Sequence, residues 1–361
     1  MALRRTRAAL TVTAACALIA GAVTPPAVTS AAQVSAAHDV APGPEVVLGE
    51  PDVLGPTAAT AILAPSAVVA ATAADTKPTK AWVTELYTSS IAPALRTPVE
   101  WSGDLGSCSA GRESNASRKA TLTAVNAMRA LVQLSPVQLD DEANVPAQKA
   151  ALLMAANGKL SHSPSPSEFP RCWTRAGKSA AGVSNLALGA AGAKAVAAYM
   201  QDPGSGNRAV GHRRWILNPT TTRIATGSTP TANALTVIGL GTSASVAAPR
   251  WMEWPARGWF PKQLEPNGRW SLSSSDPKVS FAKATVKVQR LWSSGNVART
   301  MKVTRYAPVA GYGPSTLVFH VKGVGDPRGS GSLRYRVTVS GITGGTTRSL
   351  SYVVQLYDPT A

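Results

Sequence analysis

Two histidines stand where they could do chemistry. His212 lies in GSGNRAVGHRRWILNP, behind a glycine-rich loop, and His162 lies in KLSHSP. Two imidazoles delivered by separate loops can share one metal ion or relay one substrate proton. Spacing alone favours two hydrogen-bonded structural histidines. The other two histidines offer less: His38 sits in an Ala/Pro-rich stretch, and His320 sits in the alternating segment TLVFHVKG. No GxSxG elbow, HExxH helix, P-loop or GxGxxG turn occurs, so no catalytic chemistry is announced by a motif.

The neighbours of His212 have simpler readings. RWIL reads as a short strand, in which Arg213 and Arg214 point to opposite faces, one to solvent and one inward. Trp215 and Ile216 alternate likewise, and Asn218-Pro219 is a turn. Farther on, WMEWPARGWFP carries Trp251, Trp254, Trp259 and Phe260, with Trp270 following, among Arg250, Arg257, Lys262 and Arg269. Such residues either seal an interface between domains or stack on a glycan or anionic polymer.

The elements that must hold these residues can be traced. Order begins near Trp82. SRKATLTAVNAMRALVQ puts Leu122, Val125 and Val132 on one helical face. NVPAQKAALLMAANG has a proline early and an Asn-Gly end suited to a left-handed cap. GAKAVAAYMQD is a third helix, stopped by Pro203-Gly204. TRIATG and NALTVIGLG read as strands. From about residue 250 the alternating segments KATVKVQRLW, TMKVTRY, TLVFHVKG, LRYRVTVSG and LSYVVQLYD predict an antiparallel β-sandwich. The fold class is α+β. The divisions are a signal peptide over 1–32, a low-complexity linker over 33–78, a mixed domain over 79–246 and a basic β-domain over 247–361.

Charge and cysteines point to export. The chain has 36 basic and 19 acidic residues, a net charge of +17. Residues 250–361 hold 16 basic against 5 acidic residues. MALRRTR, a short apolar run and Ser30-Ala31-Ala32 have the order of a secretory signal peptide, too short for a membrane span. Cys16 leaves with that peptide. Cys108 and Cys172 remain, and an even pair in an oxidising compartment predicts one disulfide. The reading is therefore a secreted or envelope-associated chain with no stable membrane span after signal cleavage. For such a chain an anionic cell-wall polymer is the expected macromolecular partner and nucleic acid is not.

The ordered set Asn126 and Arg129, LSPVQLD, ALLMAANGKLSH, GVSNLALG, AVAAYMQD and VGHRRWIL resembles the CAP superfamily. That superfamily is also called SCP-like and includes cysteine-rich secretory, antigen 5 and pathogenesis-related-1 proteins. The resemblance covers about Thr121–Leu240 and implies an exported α-β-α sandwich. It also implies two histidines and two glutamates around a cavity that takes a divalent cation. His162 and His212 match the histidines. Ser184 stands at one glutamate position, and Asp202 at the other. His162, Asp202 and His212 are thus the expected ligands for a weakly held cation such as Zn²⁺, with no cofactor required. Ser184, a histidine and Asp202 also spell a Ser-His-Asp set, the hydrolase alternative. The leading expectation is non-catalytic binding of a small ligand or lipid in a His-lined cavity. Polymer binding by the C-terminal domain is the third reading.

Overall fold

The computed structural model describes residues 32–34, 46–49, 78–243 and 248–361. The predicted signal peptide up to residue 31, Cys16, His38 and the predicted boundary at 246/247 lie outside the described residues. Two short strands fall within or beside the stretch read as linker, β1 (Ala32–Val34) and β2 (Val46–Gly49). β2 pairs antiparallel with β4 below and buries Leu48 completely. Val-Val-Leu is a good strand former, and the sheet edge supplies its partner. A low-complexity reading of composition could not see that edge.

α1 (Lys80–Leu86) is capped by the Thr79 hydroxyl, which accepts the Trp82 N–H. It continues through a wide π turn, Tyr87–Ile91, into α2 (Ala92–Arg96). Then come α3 (Asn115–Leu131), β3 (Gln138–Leu139), α4 (Asp141–Asn157), α5 (Arg175–Ala181), β4 (Ser184–Leu188), α6 (Gly192–Gln201), α7 (Gly211–Ile216), β5 (Arg223–Ser228) and β6 (Ala232–Thr236). The sheet order is β1-β2-β4-β6-β5-β3. Leu186 of β4 and Ala232 and Ala234 of β6 pack with α4 and α5. Ala187 and Leu235, one residue out of phase, pack with α3 and α6. The period-2 alternation of a strand thus feeds two helical layers, the α-β-α arrangement. Cys108 and Cys172 form the expected disulfide, 64 residues apart in sequence.

α4 is locked onto β5 by two amides one turn apart. Asn144 Oδ1 accepts the Thr226 N–H at 2.8 Å, and Gln148 bonds both the N–H and the C=O of Ser228. The approach requires glycine at 227: a Cβ there would lie 2.2 Å from the Gln148 nitrogen.

The C-terminal third is strand-rich: β7 (Trp251–Trp254), β8 (Gly258–Pro261), β9 (Arg269–Ser274), β10 (Thr285–Leu291), β11 (Val297–Thr300), β12 (Val303–Arg305), β13 (Thr316–Val321), β14 (Ser332–Ser340) and β15 (Ser349–Tyr357). One sheet runs β11-β10-β14-β15-β8 and the other β12-β13-β9-β7. All pairs are antiparallel except β8–β15, which is parallel, a departure from the all-antiparallel expectation. The sheets face each other where Trp270 of β9 stands edge-on to Tyr335 of β14, 5.7 Å between centroids.

RWIL is helical, not a strand. All of Gly211–Ile216 is buried, so the segment carries no polar face to betray its period. Arg213 and Arg214 are both buried, 1% and 3% exposed, which corrects the expectation that one faces solvent.

One buried apolar core runs from α3 and α6 into β9, β14 and β15. Trp254 and Trp270 are fully buried within it, so at those positions the aromatic cluster is packing. α1 straps the two parts together. Thr84 Oγ1 lies 3.0 Å from the Tyr357 hydroxyl, and the Lys80 ammonium sits 5.4 Å from the Trp259 ring centre.

Candidate functional site

The His212 site is built by a loop held between two left-handed residues. Asp202 caps α6 with φ 48°, and Val210 precedes α7 with φ 48°. That conformation is costly for a β-branched residue, on the order of 1–3 kcal/mol. It turns the chain so that α7 folds back onto the end of α6. His212 Nδ1 then donates to Asp202 Oδ1 at 2.8 Å, and the Arg213 N–H donates to Asp202 Oδ2 at 3.3 Å. Both side chains of the pair are fully buried. The Tyr199 ring stacks on the imidazole, 5.4 Å between centroids and 15° from parallel. The Tyr199 hydroxyl in turn lies 3.0 Å from Asn185 O and 2.9 Å from Asn233 Oδ1. Asn185 Nδ2 donates to the His212 carbonyl at 3.1 Å.

His162 lies just past Gly158, which closes α4 with φ 60°, the predicted left-handed cap. Its Nδ1 donates to Ala181 O at 2.7 Å. Its Nε2 is shielded from solvent and has no hydrogen-bond partner. Burial lowers the His162 pKa to about 4; the Ala181 hydrogen bond opposes this, and the neighbouring His212 adds to it. The imidazole is therefore neutral at pH 7, and Nε2 is a bare acceptor. His212 is near enough to act on the His162 imidazole.

The implied divalent-cation set does not assemble. Asp202 directs its two oxygens at His212 Nδ1 and the Arg213 N–H. Among the described residues no group of three or more His, Cys, Asp or Glu side chains could hold a metal ion. Zinc sites need three or four protein donors. His162, Asp202 and His212 do not fit that requirement, because the one carboxylate is turned toward its histidine partner.

Ser184 is not delivered to either histidine. Its hydroxyl donates to Ala180 O at 2.7 Å and pairs with Thr236 Oγ1 at 2.9 Å, on the α5 side of the sheet. Asn185, next in β4, reaches α7 instead. The Ser-His-Asp alternative thus places its acid on its histidine but leaves its serine elsewhere. Ser184 is 2% exposed.

The arginines beside His212 bind the C-terminal part. Arg213 donates to Met200 O, Arg269 O, Ser271 Oγ and Gln201 O at 2.7–3.2 Å. Arg214 reaches Val309 O and Pro314 O at 2.8 and 3.0 Å. Arg269 returns the contact, donating to the Asp202 carbonyl. Burial pushes Arg213 down to about 9, with Asp202 opposing the shift. Sequence reasoning missed this interdomain role. It also missed Asn185 and Asn233, because isolated asparagines in apolar strands carry no spacing signal.

Arg129 of α3 is a second buried tie. It donates to Ile216 O, Asn218 O and Thr221 O and so fixes the chain leaving α7. No helix among the described residues is long and apolar enough to cross a membrane.

Residues 122–238 match the CAP family, the cysteine-rich secretory protein family. No curated protein and no solved structure matches the chain. The matched segment runs from α3 just past β6 and takes in His162, Ser184, Asp202 and His212. This segment, folded as a sheet between two helical layers, is the part of the chain that is similar to the CAP family.

Proposed function

We propose that the protein is an exported CAP-domain binding protein of the cell exterior or envelope, without hydrolytic turnover. The observation that carries this is the Ser184 hydroxyl, whose proton goes to Ala180 O rather than to a histidine. A serine nucleophile needs a base within hydrogen-bond reach and an oxyanion hole. The His212–Asp202 pair, sealed under Tyr199, supports the loop that carries Arg213 and Arg214. Export is supported by the disulfide and by the family, whose members are usually extracellular. The test is purified protein assayed on ester, peptide and cell-wall substrates. The reading expects no turnover. Turnover lost in both Ser184→Ala and His212→Ala overturns it.

A second reading, binding of an anionic polymer by the C-terminal part, is favoured by one sheet face. Lys287 of β10 and Arg336 and Arg334 of β14 share one face by register, opposite Thr338, Gln289 and Leu291, and Trp292 beyond them is 61% exposed. Full-length protein would then retain teichoic-acid-type polymer at low salt and release it at high salt. Retention that ignores salt, or survives Arg334→Glu with Arg336→Glu, contradicts it.

A further inference from the structure

A second polar site lies away from His212. A cavity of about 400 Å³ is lined by Arg112, Glu113, Asn115, Arg118, Asn144 and Gln148, among others. An adjoining hollow shares four of these residues and extends to the half-buried Trp101. Glu113 is only 2% exposed. Ser117 Oγ donates to its Oε1. Its Oε2 is shielded and has no partner.

A buried carboxyl normally recruits a cation or several donors. The guanidinium beside Glu113 spends its hydrogen bonds elsewhere: Arg118 donates to the Glu113 backbone carbonyl at 2.7 Å and to Asn115 Oδ1. Burial raises the Glu113 pKa above the usual carboxylate range, opposed by the Ser117 and Ser228 hydroxyls and by the Arg118 charge. An acidic group kept dry, short of one partner and set in a cleft is the signature of a binding site.

We propose that this cleft binds a neutral saccharide. Its lining offers carboxyl, guanidinium and amide groups together, and sugar hydroxyls both donate and accept. Two arginines, Arg112 and Arg118, are balanced by Glu113 and Asp141, so nothing selects a charged ligand. Trp101 supplies apolar surface at one end. Its ring is pinned by Nε1 donating to Ala110 O at 2.8 Å, and Gly103 lets it approach: a Cβ there would fall 2.3 Å from the ring. A ligand hydroxyl reaching Glu113 Oε2 would join the Ser117 and Ser228 hydroxyls around this carboxyl. The proposal does not rest on the reading of Ser184 and His212.

The experiment is calorimetric titration of the full chain with chitotriose, cellotriose and maltotriose. At least one is expected to bind. Glu113→Ala is expected to weaken it by at least ~10-fold, as expected for one charged hydrogen bond in a desolvated site. Arg112→Ala, at an exposed position that leaves folding intact, is expected to weaken it by ~5-fold or more. No binding at ~10 mM of any of the three overturns the proposal, being weaker than any Kd useful for recognition. So does binding that Arg112→Ala and Glu113→Ala leave unchanged, or binding abolished only by Arg334→Glu on the C-terminal sheet.

Discussion

Arg213 is the most informative residue to perturb, because it joins the His212 helix to the β-rich part. Its guanidinium makes four hydrogen bonds, to Met200 O, Arg269 O, Ser271 Oγ and Gln201 O. Bonds from a charged group contribute about 1.5–3 kcal/mol each, so four are worth about 6–12 kcal/mol. Opposing this, burial lowers the guanidinium from 12.5 to about 9. That shift, net of the opposing Asp202 and Glu265 charges, corresponds to about 5 kcal/mol. The remainder, about 1–7 kcal/mol and centred near 4, brackets the cost of breaking one side of a buried charged network. Arg213→Ala should therefore lower the melting temperature by about 8–16 °C. Differential scanning calorimetry of wild type, Arg213→Ala and the exposed control Lys119→Ala measures this. An Arg213→Ala shift no larger than that of the control would refute the claim that α7 holds the two parts together.

Other perturbations test other parts of the account. Reducing the Cys108–Cys172 bridge, or replacing both cysteines by serine, should cost about 4 kcal/mol by the loop-entropy estimate; urea denaturation with unchanged midpoint contradicts it. His162 has a folded pKa of about 4 against 6.5 unfolded, so the unfolded chain binds the extra proton between those values. Stability should therefore be complete above about pH 6.5 and fall by up to about 3 kcal/mol as pH drops toward 4. His162→Gln should flatten that slope, and an unchanged slope contradicts the assignment. Gly227→Ala forces α4 off β5 and should cost at least ~3 kcal/mol, like other overpacked core substitutions; a stable variant would mean the contact is slack. Zn²⁺ in excess should leave the melting temperature unmoved, since a bound ligand raises it by mass action; a rise removed by His162→Ala would restore the metal reading.

The sequence made much of the helical framework legible. Asn157-Gly158 forms the left-handed cap that ends α4, and Leu122 and Val125 face the core of α3 as their spacing requires. The alternating segments after residue 250 are strands because one face of each is buried and the other wet, which is what a period of two records. α7 was illegible for the opposite reason. Every residue of Gly211–Ile216 is buried, so apolar and polar positions do not alternate with solvent, and two arginines donate to carbonyls far away in sequence. The site was half legible. The family resemblance located His162, Asp202 and His212, and a His212–Asp202 pair forms. The direction of each side chain was not written there. Ser184 turns to Ala180 and Asp202 turns to His212, and those two orientations dissolve both the triad and the cation set. Glu113 went unnoticed because a lone glutamate before a helix looks like an ordinary first-turn acid.

The central claim is that Ser184 is a structural hydroxyl and not a nucleophile. A fluorophosphonate probe reacts with activated serines and spares those lacking a base. Treating the native protein and mapping the adduct by mass spectrometry reads the claim directly. The account predicts no label at Ser184. Stoichiometric labelling of Ser184 that vanishes in His212→Ala would contradict it.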